Sequence, residues 1–280
     1  MNTSPREAVS VVLPVRNCVA SIETLIANWT QGLNAVGRPW ELIVVDDGSS
    51  DGTFSKAEAA SARGRNIRVL KLEGPTGFGA CLRLALPEVQ HPLLATCAAD
   101  YPYTPADLAK LLARMDVETE FPDPATDAPV MRKPDIVNGC RTGVAVPAFW
   151  KNLGRLYRGF CRLALGLPLD PVPSWYGLRE HLRSWGAWIV YGVPLEDPTS
   201  AFKVYRKAFV DRFPIQSDGD FVQIELVAKS TFLTCILDEI PLTPKTTPIP
   251  HATWSGADRK KVFAKPQFRH PPAPVLVETA

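Results

Sequence analysis

The chain has 280 residues, 46% of them hydrophobic and 21% charged, with a formal net charge of +2. That composition belongs to an ordinary folded protein with a sizeable core, built as one large domain or as one domain with a small appendage. So small a charge excess does not point to a nucleic-acid partner, which would call for a basic stripe or a strongly basic domain. The six cysteines form no CxxC pair and have no histidine at metal-ligand spacing. They read as small hydrophobes in a reducing compartment rather than as a disulfide framework or a zinc site.

Taken in chain order, the first hundred residues alternate strand and helix. AVSVVLPV (8–15) is β-branched and continuous, as a strand buried on both faces is. Val19, Ile22, Leu25, Ile26, Trp29 and Leu33 then recur at helical period. ELIVVDD (41–47) is the second strand and stops in the turn-rich GSSDGT, with a polar helix expected over 56–63. NIRVLKL (66–72) is the third strand, after which GPTGFG opens a helix carrying Leu82, Leu84, Ala85 and Leu86. PLLATCA (92–98) is the fourth strand and runs out at Asp100. Thr104 is the expected N-cap of a helix from Pro105 through Met115.

The second half is less regular. Residues 117–134 are acidic and proline-rich and read as a loop. DIVNGCR (135–141) is a short strand, and a helix is expected over 149–165. Trp175, Leu178, Leu182, Trp185 and Trp188 follow helical spacing within about 172–192. DPTSAFKVYRK (197–207) reads as a strand, 221–231 as a helix, and CILDEIPL (235–242) as a final strand. From residue 243 the chain is a proline-rich tail with Arg259, Lys260, Lys261 and Lys265. The expected division is therefore 1–242 as the main domain, with halves 1–116 and 135–242, and 243–280 as the tail. The longest apolar candidate (185–195) falls short of the roughly 20 residues a spanning helix needs. The run 8–15 is short, and Glu7 stands where a signal peptide would carry positive charge, so no secretory signal is read. The expected location is cytoplasmic.

Strands alternating with helices predict an α/β fold of Rossmann-like type, a mostly parallel central sheet flanked by helices. In such sheets ligands bind beyond the carboxyl ends of the strands. The polar residues gather at those ends: Arg16 and Asn17, Asp46 and Asp47, then Asp100.

SVVLPVRN, ELIVVDDGSSDGT, GFGACLRLAL, the strand ending at Asp100, IVNGCR, DPTSAFKVYR and DEIP occur in that order. Together they resemble glycosyltransferase family 2, in particular its polyprenyl-phosphate (dolichyl-phosphate) sugar synthase branch. The resemblance is good over 8–110 and looser over 135–242. It implies a nucleotide-diphospho-sugar transferase fold (GT-A type) and an inverting transfer of a sugar from a nucleotide donor to a sugar or lipid-phosphate acceptor. Asp46, Asp47 and Gly48 then fall at the nucleoside, with Pro14, Arg16 and Asn17 in the loop over the base and Gly79 beside the nucleotide. A carboxylate at a strand end accepts hydrogen bonds from a base N–H or a ribose hydroxyl, and a glycine permits a tight turn beside the ligand. The alternative for the aspartates is an ordinary strand-to-helix turn.

The family's metal pair, Asp-x-Asp, corresponds to Ala98-Ala99-Asp100 here, so Asp100 alone remains to hold Mg²⁺ or Mn²⁺. Pro102 stands where the branch usually has a glutamine, and Ala201 where the family has a glycine before the phenylalanine. A weakened metal site is predicted, with Asp100 also counted as catalytic. Asp197 is the candidate catalytic residue facing the acceptor. It takes a proton from an alcohol acceptor, or orients groups if the acceptor is a phosphate that is already ionised. Arg141 is the candidate for the acceptor phosphate, or else an ion-pair partner of a local carboxylate. Glu225 is a second acidic acceptor candidate, or else a surface carboxylate. Trp175, Trp185 and Trp188 predict either a peripheral contact with the inner membrane surface or a helix packed on the core. Two other readings stand beside this one. The first is a relative that binds nucleotide sugar without turnover. The second is an NAD-dependent dehydrogenase, because GFGACL partly mimics a dinucleotide fingerprint but has Leu82 at its third glycine position.

Overall fold

The β-branched runs of the first half form strands with no exposed face. β1 (Val9–Val15) is buried along its whole length, and β2 (Trp40–Asp46) everywhere except Trp40. The computed structural model describes residues 6–62, 64–98, 103–122, 129–141, 195, 197–243 and 256–269. The helices expected over 149–165 and 172–192 lie outside them. The remaining strands of the main sheet are β3 (Ile67–Lys71), β4 (Leu93–Thr96), β7 (Ile136–Arg141), β8 (Lys203–Arg206) and β9 (Leu237–Leu242). They assemble in the order β3-β2-β1-β4-β8-β7-β9. Every neighbouring pair is parallel except the two that β8 makes, with β4 and with β7.

The first helices pack apolar residues against this sheet. α1 (Ile22–Ala35) contributes Ile22, Ile26, Trp29 and Leu33, in agreement with the expected stripe. α2 (Thr53–Ser61) and α3 (Phe78–Ala85) follow β2 and β3. α4 (Pro105–Met115) buries Leu108, Leu111, Leu112 and Met115. Thr104 stands at its N-cap, as the sequence suggested, and the structure adds a capping box in which Asp107 accepts the Thr104 N–H at 3.1 Å. α1 touches both α2 and α4. α3 carries the chain back from β3 across to β4, and a right-handed crossover in that reversed direction places it on the opposite face.

Three expectations change. Residues 117–134 are not simply a loop: β5 (Thr119–Pro122) and β6 (Pro129–Arg132) pair as an antiparallel hairpin, with Pro122 opposite Pro129. Prolines are tolerated in so small a ribbon because it has free edges. The strand expected over 197–207 shortens to β8, followed by the single turn α5 (Lys207–Val210). Ahead of β8 the Asp197 carbonyl accepts the Ser200 N–H at 3.2 Å, and Ser200 Oγ accepts the Phe202 N–H at 3.2 Å. These local bonds compete with ladder pairing. The tail also carries a helix, α7 (Gly256–Ala264), docked on α6 (Val222–Phe232). Its Val262 is fully buried in a cluster with Phe221, Ile224, Val227 and Leu195.

α3 is seated by the close approach of a loop. A Cβ on Gly79 would stand 2.3 Å from the Ser217 carbonyl oxygen, whereas one on Gly74 would meet nothing within 4 Å. Gly79→Ala is therefore expected to lower the unfolding free energy by about 1–3 kcal/mol. Gly74→Ala should change it by less than about 0.5 kcal/mol. Urea denaturation of the two variants decides the matter; equal midpoints would refute this account of the packing.

Candidate functional site

β1 lies between β2 and β4, and the chain leaves these strands in opposite directions. The amides and carbonyls beyond their carboxyl ends diverge and leave a crevice. A cavity of about 610 Å³ opens there, with Pro14, Arg16, Asp47, Gly77, Phe78 and Ala98 in its wall.

The DDGSSDGT turn builds that wall. Asp46 is fully buried and folds its carboxylate back on the turn, accepting the Ser49 N–H at 3.1 Å and the Ser49 hydroxyl. Asp47 Oδ1 accepts the N–H groups of Thr76 (2.7 Å) and Gly77 (3.0 Å). Asp51 Oδ2 accepts Val19 N–H at 3.0 Å and its Oδ1 accepts Thr53 N–H at 3.0 Å. Asn17, at φ 45°, gives its N–H to Ser49 Oγ and accepts the Ser50 N–H at 3.1 Å. Gly48 has φ +63°, and a Cβ there would stand 2.3 Å from the Gly74 carbonyl carbon.

Of the residues expected at the nucleotide, Pro14, Arg16 and Asp47 border the cavity. Asp46, Asn17, Gly48 and Gly79 shape the loops around it. Arg16 is exposed at the rim. Cys81 also lines the wall, and burial, with Asp47 and Asp46 nearby, pushes its thiol up to about 12, so it is a neutral wall and not a nucleophile. Sequence reading missed Asp220, which enters the cavity from the Ser217–Asp220 loop. The one signal for it was the turn composition of SDGD.

A second polar cluster lies farther along the same edge of the sheet. Arg141, at the end of β7, makes a fork with Asp197: Nε to Oδ2 and Nη2 to Oδ1, both at 2.5 Å. Its backbone N–H reaches Oδ2 at 3.2 Å, and Nη2 also donates to Thr199 Oγ1 at 2.7 Å. The two side chains are only 4% and 6% exposed. Burial alone would raise the Asp197 carboxyl, but the Arg141 guanidinium overrides it and holds the group below its ordinary value. Glu239 Oε1 accepts the Asp197 N–H at 3.2 Å and the Asn138 amide at 2.6 Å. Lys203 is buried beneath this turn and donates to the carbonyls of Pro198 (3.1 Å) and Ser200. Burial brings its ammonium down to about 7 against the pull of Asp197. The structure thus joins the two candidates Arg141 and Asp197 into one ion pair.

Glu225 is no surface carboxylate. It is fully buried on α6, paired with Lys229 at 2.6 Å, and accepts the N–H groups of Gln216 (2.7 Å) and Ser217 (2.8 Å). Its carboxylate fixes the loop that carries Asp220. Asp100, the candidate metal ligand, lies outside the described residues, as do Trp175, Trp185 and Trp188. Ala98, by contrast, lines the crevice. No group of three or more potential metal-ligating side chains occurs among the described residues. No helix among them is long and apolar enough to cross a membrane.

A family model described as "Glycosyl transferase family 2" matches residues 10–165, more than half of the chain. This protein belongs to glycosyl transferase family 2. Among curated relatives, it is 30% identical over 116 residues to the undecaprenyl-phosphate 4-deoxy-4-formamido-L-arabinose transferase of Salmonella paratyphi B. That match covers 41% of this chain and 36% of the relative; the Salmonella newport transferase matches equally. Among solved structures, glucosyl-3-phosphoglycerate synthase from Mycobacterium tuberculosis superposes in two complexes. With Mn²⁺, UDP and glucosyl-3-phosphoglycerate the TM-score is 0.53 at 20% identity, covering 88% of this chain and 73% of that one. With Mg²⁺ and UDP it is 0.55 at 17% identity, with the same coverage. The likeness to these structures is one of fold, and the fold is of the GT-A type.

The buried lysine makes stability depend on pH. Between pH 7 and 10.5 the unfolded chain holds the Lys203 proton and the folded chain does not, so this residue makes stability rise with pH across that window. Relative to Lys203→Met, the wild type should gain stability between pH 7.5 and 9.5 in denaturant titrations. Parallel curves for the two proteins would contradict it. Arg141→Ala strands a buried carboxylate and is expected to cost about 3–5 kcal/mol in the same assay at pH 7; a loss under about 1 kcal/mol would show that the pair is dispensable.

Proposed function

We propose that the protein transfers a sugar from a nucleoside-diphosphate donor, bound in the β1–β4 crevice, to a phosphate-bearing acceptor of the polyprenyl-phosphate kind. The observation that carries this reading is the state of Asp197. Both its oxygens are engaged by Arg141, and its carboxyl is held low. Such a group is a poor proton acceptor. An alcohol acceptor needs a base, whereas a phosphate oxygen is already a nucleophile and loses no proton. The acceptor oxygen would attack the anomeric carbon as the bond to the diphosphate breaks, with inversion as the family resemblance implies. Family membership and the curated transferases support the same class of reaction.

In this reading Asp47 and Asp220 face the nucleoside hydroxyls and Arg16 meets the phosphates. Residues 1–116 serve the donor and 135–242 the acceptor. Trp175, Trp185 and Trp188 face a membrane surface, as suits a cytoplasmic enzyme with a lipid acceptor. Mg²⁺ or Mn²⁺ at Asp100 would neutralise the leaving diphosphate, and the metal-bound synthases of the same fold favour it. The described residues do not make a metal site by themselves, because Ala98 puts a methyl group in the crevice.

The methyl group of Ala98 also favours a second reading, nucleotide-sugar binding without turnover. Ala98→Asp separates the two: a large gain in sugar transfer means that the natural site is compromised.

A thermal-shift panel of UDP-, GDP-, dTDP- and CMP-sugars, each with and without Mn²⁺ or Mg²⁺, tests the donor site. One nucleotide family should raise the melting temperature, by a stabilisation of about 2.7 kcal/mol at a hundred times its Kd. Arg16→Ala should weaken that ligand roughly five- to tenfold at an unchanged melting temperature. A shift with NAD and with none of the sugar nucleotides would sink the reading.

A further inference from the structure

The SDGD loop is held from three sides. Toward α3, the Asp218 carbonyl accepts the Ala80 N–H at 3.0 Å, Arg83 donates to the Ile215 carbonyl at 3.0 Å, and Arg83 also pairs with the Asp218 carboxylate. Beneath, Glu225 takes the Gln216 and Ser217 amides. The third side is the C-terminal segment. Asp258, in the first turn of α7, accepts the N–H of Asp218 on Oδ1 (3.4 Å) and that of Gly219 on Oδ2 (3.2 Å). Lys261 pairs with the Asp218 carboxylate at 2.8 Å. Gln216 donates to the Lys265 carbonyl at 3.1 Å and accepts the Gln267 N–H at 2.8 Å.

Apolar contacts clamp the same segment. Val262 is fully buried, and Phe263 meets Phe221 edge-on at 5.8 Å between ring centroids. Leu195, two residues before Asp197, belongs to the cluster that Val262 completes.

We infer that residues 256–269 are a strap that sets the donor crevice, with Asp258 as its positioning residue. This rests on the donor site proposed above. The loop has no large apolar side chain between Ile215 and Phe221 to anchor it, so its order depends on hydrogen bonds. Two consecutive amides directed at one carboxylate form a charge-assisted clamp. Releasing it frees both Asp220, which lines the crevice, and the Asp218 carbonyl, which caps α3 beside Gly77 and Phe78. A donor would then have to order the loop as it binds, at a loss of affinity.

Asp258→Asn keeps the shape and removes the charge. In the full chain it is expected to raise the Kd for UDP, GDP or dTDP, whichever the wild type binds, roughly five- to tenfold. The melting temperature should stay within about 2 °C. Asp258→Glu should recover part of the affinity, and Arg259→Ala, at an exposed position of the same helix, should lose none. Hydrogen exchange supplies a readout that needs no nucleotide: the amides of Ala80, Asp218 and Gly219 should exchange faster in Asp258→Asn, with β1 and β2 unchanged. Unchanged exchange at those three amides overturns the strap. So does faster exchange across the whole sheet with a matching fall in melting temperature, which is the mark of a general structural role. If the wild type binds none of UDP, GDP and dTDP, the donor reading fails, and the exchange pattern still decides the strap.

Discussion

Where parallel strands end together, backbone amides lose their ladder partners and must find acceptors elsewhere. At the carboxyl edge of this sheet carboxylates supply them. Asp46 takes the amide of Ser49, Asp47 those of Thr76 and Gly77, and Asp51 those of Val19 and Thr53. Farther along, Asp197 takes Arg141, Glu239 takes Asp197, Glu225 takes Gln216 and Ser217, and Asp258 takes Asp218 and Gly219. These bonds fix turns that no ladder holds, and the turn at Asp47 and the loop ending at Asp220 border the crevice.

At Asp197 that arrangement limits the chemistry: against the effect of burial, the Arg141 guanidinium holds the carboxyl below its ordinary value, which suits it to binding and not to taking protons. Among the described residues of the crevice wall, Asp47 and Asp220 carry negative charge and Arg16 alone is cationic. A nucleoside diphosphate bound as proposed above would face two carboxylates and one guanidinium of these residues, so the effect of Mn²⁺ or Mg²⁺ on its affinity is an informative property to measure.

Much of the fold was legible because burial on two faces leaves a strong mark. The continuous β-branched runs at 8–15 and 41–47 became β1 and β2, and the Thr104 cap was plain from Thr-Pro ahead of an apolar stripe. The crevice was legible as well, since polar residues at successive strand ends announce it. Partnership was not. Arg141 and Asp197 are 56 positions apart, and nothing local says that they pair. Glu225 looked like a surface acid because α6 is buried almost all round and has no polar face to betray its orientation. α7 was hidden because a single fully buried side chain, Val262, anchors it in a run of charged residues. Gly79 was read for the ligand alone, and the close approach of the Ser217 carbonyl that its missing Cβ permits left no mark in the sequence.

The antiparallel strand β8 links the two polar clusters. Thr96 Oγ1, at the end of β4, donates to the Ala201 carbonyl at 2.9 Å, and the Phe202 carbonyl accepts the Gly139 N–H of β7 at 2.9 Å. The turn carrying Asp197 is thus pinned between the strand that borders the donor crevice and the strand that carries Arg141. Burying the Arg141–Asp197 pair removes two charges from water, and hydrophobic replacements often do as well or better for stability alone. What the pair provides is a fixed direction: a guanidinium fork allows little rotation, so the turn carrying Asp197 is aimed relative to the sheet and not held on a loose loop. Displacement at a sugar carbon requires the two reactants in line, and in the transfer proposed above a strand shared between the two clusters would meet that requirement.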